Sequence, residues 1–180
     1  LGDRVRTGTP AIRVFPFGDK ITVVTEDNRS HIFDDVILAT HSDQALRLVE
    51  KGFEDQSFLL RSVHYRPNTI YLHSRPLFIT LSPETPPRPD LTFHQYAFDH
   101  PQFDTAAEAA VRGLKRIQGQ DGLWIAGAWM GRGFHEDGLK SGLSAALSLG
   151  GRVPWDAKGV DIHSPARKTP VMEIAAEVSV

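Results

Sequence analysis

A chain of 180 residues, 41% hydrophobic and 23% charged, with a formal net charge of −2 at pH 7, has the composition of one soluble domain with a core of its own. The near-neutral balance removes the electrostatic reason to expect nucleic acid or an anionic membrane as partner. The absence of cysteine excludes a disulfide framework, a thiolate nucleophile, a cysteine zinc site and a cysteinyl link to a cofactor. No apolar run approaches the roughly 20 residues of a membrane helix. Leu1-Gly-Asp-Arg-Val-Arg6 has neither the apolar core of a signal peptide nor an initiator methionine. The expected setting is cytoplasmic, and the expected status is a fragment or a processed product.

Ala11 to Phe15 and Lys20 to Thr25 read as strands joined by a turn at Pro16-Phe17-Gly18-Asp19, with Val14, Ile21 and Val23 inward. A second turn over 26–30 leads to a short strand at His31 to Phe33, which makes a β-meander. Val36 to Ala39 is a continuous apolar strand ending in small residues. Ser42-Asp43 then opens a helix through Ala45, Leu46 and Val49, with Ser42 as its N-cap. A buried strand followed at once by a helix is an α/β crossover unit. Ligands of open α/β sheets bind beyond the C-terminal ends of such strands, where Thr40 and His41 stand. His41 by itself reads as a solvent-exposed helix-start residue.

Phe53 to Arg61 suggests a short helix with Phe58 and Leu59 buried. Val63 to Pro67 is extended, because Pro67 biases Arg66 away from helix. Strands follow at Asn68 to His73 (Ile70 and Leu72 on one side), Leu77 to Leu81 and Leu91 to Phe98. Between the last two, Ser82 to Asp90 is a proline-rich loop. Asp104 caps a helix from Thr105 to Ile117, whose stripe of Ala107, Ala110, Val111, Leu114 and Ile117 faces inward. Pro154-Trp155 is a candidate packed aromatic. Most of the polar stretch from Ala157 to Val180 reads as a disordered or loosely docked tail, with a short helix expected at Glu173 to Val178.

The chain is organised around Leu123 to Leu147. Leu123 to Ala126 is a strand buried on both faces, Gly127 to His135 a glycine-rich turn, and a helix begins near Glu136 or Asp137. Leu139, Leu143 and Leu147 give that helix an apolar face. Gly138, Gly142 and Ala146 form a second stripe, where another backbone or a flat ligand would approach. A glycine-rich turn feeding a helix N-terminus offers free N–H groups to an acceptor-rich ligand. Tight helix-on-sheet packing with no ligand is the competing reading.

Other chemistries fit less well. His135, Glu136 and Asp137 would have to form a metal site, but Leu139 stands where a zinc-protease helix needs its second histidine. A Gly-x-Ser-x-Gly elbow and a Gly-x-Gly-x-x-Gly fingerprint are both absent. His94 and His100, beside Tyr96 and Phe98, read first as an edge-strand surface and second as a pocket wall.

Four segments taken together carry a resemblance. They are Asp35-Val-Ile-Leu-Ala-Thr-His-Ser-Asp-Gln-Ala-Leu46, His100-Pro-Gln-Phe-Asp104, Ile117-Gln-Gly119, and Trp124 through Gly142 with its Gly-Phe-His-Glu-Asp-Gly core. In order and content this set resembles the C-terminal half of the predicted NAD/FAD-binding, flavin-containing amine oxidase-like proteins, and Pro154-Trp155 fits the same pattern. The resemblance implies an α/β fold (α+β in isolation), the C-terminal part of a two-domain FAD-dependent fold without its N-terminal Rossmann unit. It implies a β-meander over 1–33, parts of the FAD-binding domain over 34–52 and 120–155, part of a substrate domain over 53–119, and a tail over 156–180. It implies FAD as cofactor, a small-molecule substrate and hydride transfer from substrate to flavin. Cofactor contacts would fall on Ala39, Thr40, Gly127, Ala128, Gly133, Phe134, His135, Glu136 and Asp137; no catalytic base is singled out. Two departures stand out. Gly127-Ala128 occupies the place of the wider group's Gly-Asp pair, and the strands the family carries between Arg75 and Pro76 are missing. The alternative is a non-catalytic remnant or interaction module that does not hold FAD by itself.

Overall fold

The computed structural model describes residues 2–49, 51–74, 77–155, 160 and 162. The expected tail and the expected helix at Glu173 to Val178 lie outside these residues. Among them the fold is mixed α/β, with three sheets and four α-helices.

The N-terminal meander consists of β1 (Ala11–Phe17), β2 (Lys20–Thr25) and β3 (Ser30–Phe33), paired antiparallel in that order. Gly18 has φ 60° and allows a two-residue turn. Pro16 and Phe17 therefore belong to β1, opposite Ile21 and Lys20, and not to the turn. Proline is tolerated there because β1 is an edge strand. Val14 and Ile21 are fully buried, whereas Val23 is only half-buried and Val24 takes the inner place.

β4 (Val36–Leu38) pairs parallel with β8 (Leu123–Ile125), and Ala126 N–H donates to Leu38 O at 3.0 Å. Every residue of β8 is buried. The Trp124 indole donates to Asp35 Oδ1 at 3.1 Å and lies against Gly119. Any side chain at Gly119 would meet the indole ring. Gln118 acts as a surrogate strand beside β8. Its Oε1 accepts from Ile125 N–H at 2.9 Å, and its Nε2 donates to Ile125 O at 2.8 Å.

Helix α1 (Ser42–Leu48) starts at Ser42, so the N-cap position belongs to His41, in an extended conformation. This corrects the expectation that Ser42 caps the helix: its Oγ is turned toward the Tyr65 hydroxyl instead. In α2 (Glu54–Leu60) the inward residues are Gln56 and Leu60, with Phe53 just before them. Phe58, expected inside, is 73% exposed, because the phase set by Phe53, Gln56 and Leu60 turns it outward. Leu59 packs instead on Gly113 of α3 (Thr105–Arg116). α3 buries Ala107, Ala110 and Leu114, as its periodicity requires, and Asp104 accepts from Ala107 N–H at 2.8 Å. Asp104→Ala is expected to lower stability by about 1 kcal/mol and Tm by about 2–4 °C, read from a thermal melt.

The third sheet has the order β6-β5-β7, from β5 (Tyr65–His73), β6 (Phe78–Leu81) and β7 (Thr92–Pro101), all antiparallel. β7 runs three residues past Phe98 and sets His100 opposite Arg66 and Pro101 opposite Tyr65.

Helix α4 (His135–Ser148) follows a 3-10 turn at Ala128–Met130. Its expected leucine face is packed only in part. Leu139 is 53% exposed while Leu143 and Leu147 are half-buried, and the helix approaches the turn through Gly138, Ser141 and Ala145, whose small side chains allow it. Gly138 approaches Ala128 closely, as its stripe suggested, but Gly142 faces open space. Trp155, the candidate packed aromatic, is 56% exposed among the described residues. Among the described residues no helix is long and apolar enough to cross a membrane.

Candidate functional site

Parallel pairing of β4 with β8 sets the ends of two strands side by side, Ala39 and Thr40 next to Gly127 and Ala128. The Trp129 indole joins them by donating to Thr40 O at 2.9 Å. Gly127 is extended, and its lack of a side chain matters because a Cβ there would come within 2.6 Å of the indole nitrogen. Ser141 Oγ accepts from Gly127 N–H at 2.9 Å and holds the turn against α4.

A cavity of about 720 Å3 opens at these strand ends. That is within the range of pockets for small molecules and cofactors. One wall is the small-residue set Ala39, Thr40, Gly127, Ala128 and Gly133, with Trp129 and Arg132. The opposite wall comes from the third sheet and its exit: Tyr65, Ile70, Phe98, His100 and Phe103. Ala128 and Trp129 open the 3-10 turn, and their N–H groups meet no acceptor among the described residues. His100 Nδ1 is buried and likewise has no hydrogen-bond partner among them. The cavity therefore offers unused polar groups on a mixed lining that also carries Thr40, His41, Gln44, Asp99 and Arg132.

Tyr65 forms the corner between the two walls. Its hydroxyl accepts from Ser42 N–H at 3.0 Å and from Ser42 Oγ at 3.3 Å, and its ring stacks on His41 with centroids 4.7 Å apart. Burial pushes the phenol pKa above its ordinary value of 10.0, against the opposing effect of the Ser42 hydrogen bonds. The folded state then binds the phenolic proton more tightly than the unfolded state does. Stability should be unaffected below the unfolded pKa and should fall as pH rises from there through the higher folded value. Tyr65→Phe should flatten that alkaline slope in a pH series of urea melts.

Five of the nine residues singled out as cofactor contacts (Ala39, Thr40, Gly127, Ala128 and Gly133) line this cavity. Phe134, His135, Glu136 and Asp137 do not. Phe134 is 69% exposed, and Glu136 pairs with Lys140 at 3.5 Å. The Asp137 carboxylate accepts from the N–H groups of Arg132 and Phe134, both at 3.0 Å, and so braces the glycine-rich turn. His41 and His100 both line the cavity, while His94 stacks on Tyr96 elsewhere on the sheet. Among the described residues no group of three or more His, Asp or Glu side chains could hold a metal ion.

Sequence reasoning missed Tyr65, Phe103, Trp129 and Arg132 as site residues. Trp129 and Arg132 belong to the glycine-rich turn already marked in the sequence, whereas Tyr65, set opposite Pro101 by the β5–β7 register, and Phe103 join them only in the folded cavity.

No protein-family model and no curated protein sequence matches the chain. A solved structure titled "Crystal structure of CLA-producing fatty acid isomerase from P. acnes" is similar, with TM-score 0.57 and 12% sequence identity over 81% of this chain. At that identity the likeness speaks for the fold alone. The match takes in 48% of the isomerase chain, so this chain spans about half the length of that relative.

Proposed function

We propose that this chain is the C-terminal part of an FAD-dependent oxidoreductase of amine oxidase type, and that the cavity at the ends of β4 and β8 takes the flavin. The observation that carries this reading is the position of the cavity: beyond the C-terminal ends of two parallel strands, against the end of a separate antiparallel sheet. Residues 34–52 and 120–155 then belong to a cofactor domain, residues 53–119 to a substrate domain, and the cavity lies where they meet.

The residues present fit one end of such a cofactor. Ala39, Thr40, Gly127 and Gly133 leave room for a flat group, and the free N–H groups of Ala128 and Trp129 suit acceptor atoms. FAD, when bound, would supply the redox chemistry by accepting a hydride from the substrate. The chain's own part is to position and to exclude water. Ile70, Phe98 and Phe103 form an apolar wall on the substrate side, and Tyr65 stays protonated as a hydrogen-bond donor. Asp137 acts indirectly by holding the turn that carries Arg132 and Gly133.

The β4–β8 sheet can grow on one side only. The outer edge of β8 is occupied by Gln118 and Gly119, whereas no strand among the described residues pairs with the other edge of β4. That free edge is suited to a further parallel strand, as a nucleotide-binding half would provide. It also favours a second reading, a module that does not hold FAD by itself.

The test is a visible difference spectrum of FAD titrated with the purified chain. A saturable shift of the flavin bands supports the first reading; an unchanged spectrum at the highest protein concentration rejects flavin binding by this chain. Because the structural neighbour is a fatty acid isomerase by its title, unsaturated fatty acids belong beside amines as trial reductants.

A further inference from the structure

A second, smaller pocket of about 260 Å3 lies beside the main cavity and shares Phe103, Trp129 and Arg132 with it. Its floor is apolar, with Val63 and Met130 from the core and Val111 half-buried. Its rim carries three cations, Arg112, Lys115 and Arg132. Glu108 is the acid on that rim, and it lies 3.9 Å from Arg112. Asp137 lies against Gly131, and its carboxylate is engaged by the backbone N–H groups of Arg132 and Phe134. Lys115 in the last turn of α3 also meets the negative end of the helix dipole. Arg132 comes from a different segment, and its guanidinium has no acidic partner among the described residues. In a chain of net charge −2, cations from two separate segments meet over an apolar floor.

We propose that this pocket binds an organic anion with a compact apolar body, such as an aromatic or branched carboxylate. The apolar body covers Val63, Val111 and Met130, and the anionic group sits at Arg132 and Lys115. The flat guanidinium of Arg132 suits a carboxylate through paired N–H donors, while Lys115 adds a point charge. The inference is independent of the flavin reading.

The test is calorimetry on the whole chain at low salt with 1-naphthoate and its uncharged analogue 1-naphthamide. The naphthoate should bind about tenfold more tightly. Lys115→Gln and Arg132→Gln, both at exposed positions, should each weaken naphthoate by about fivefold and leave naphthamide unchanged. Ala39→Trp, which fills only the main cavity, should leave both affinities unchanged. Equal binding of the two probes, no naphthoate binding, indifference to Lys115→Gln, or loss on Ala39→Trp would each overturn the assignment.

Discussion

Replacing Gln118 with leucine is expected to reduce the free energy of unfolding by about 3 kcal/mol, although the change adds apolar surface to the core. Gln118 is 7% exposed, and both ends of its amide bond to the main chain of Ile125. Leucine would leave the N–H and C=O of Ile125 buried and unpaired. Each such group costs about 1–3 kcal/mol, more than the gain from a slightly more apolar side chain. For a chain of this length the loss corresponds to a fall in Tm of about 6–12 °C. Urea melts of the wild type and the variant measure it. A change below about 1 kcal/mol would mean that water or a shifted backbone replaces the glutamine.

Filling the mouth of the main cavity should affect binding far more than stability. Ala39 is exposed at the end of β4 and lines the cavity, so Ala39→Trp adds a large ring where the strand ends meet. The variant should lose FAD affinity by at least about tenfold, or 1.4 kcal/mol. Its unfolding free energy should stay within about 0.5 kcal/mol of the wild type, as for most exposed positions. Parallel flavin titrations and urea melts separate the two effects. Unchanged FAD affinity would place the flavin elsewhere on the chain.

Much of the fold was legible in the sequence because its signals were local. The apolar stripe of α3 and its Asp104 cap, the buried run of β8 and the glycine-rich turn after it are each written within about a dozen residues. The failures came where a distant partner decided the outcome. Leu139, Leu143 and Leu147 carry a good helical period and the last two are half-buried, yet α4 approaches the Gly127–Met130 turn through Gly138, Ser141 and Ala145, whose small side chains allow it. Ser42 has the composition of a helix cap, but Tyr65 claims its hydroxyl from 23 residues away. Phe58 lost its expected place inside through a change of helical phase.

The site divides in the same way. The small residues at the strand ends followed from the strand-then-turn pattern. Phe98 and His100 had a pocket wall as the second reading of their strand, but Tyr65 reaches the same wall through sheet register, which no local motif records. The cluster from Phe134 to Asp137 was the most conspicuous stretch in the sequence. In the structure it braces the turn and does not line the cavity, since Asp137 is engaged by the N–H groups of Arg132 and Phe134.

The most direct measurement is an amide chemical-shift map of the isotopically labelled chain titrated with FAD. If the strand-end cavity takes the flavin, the largest shifts will fall on Ala39, Thr40, Ala128, Trp129 and Gly133, with smaller ones on Tyr65 and Phe98 across the cavity. Shifts confined to other surfaces, or none at these residues with FAD in excess, would contradict that account.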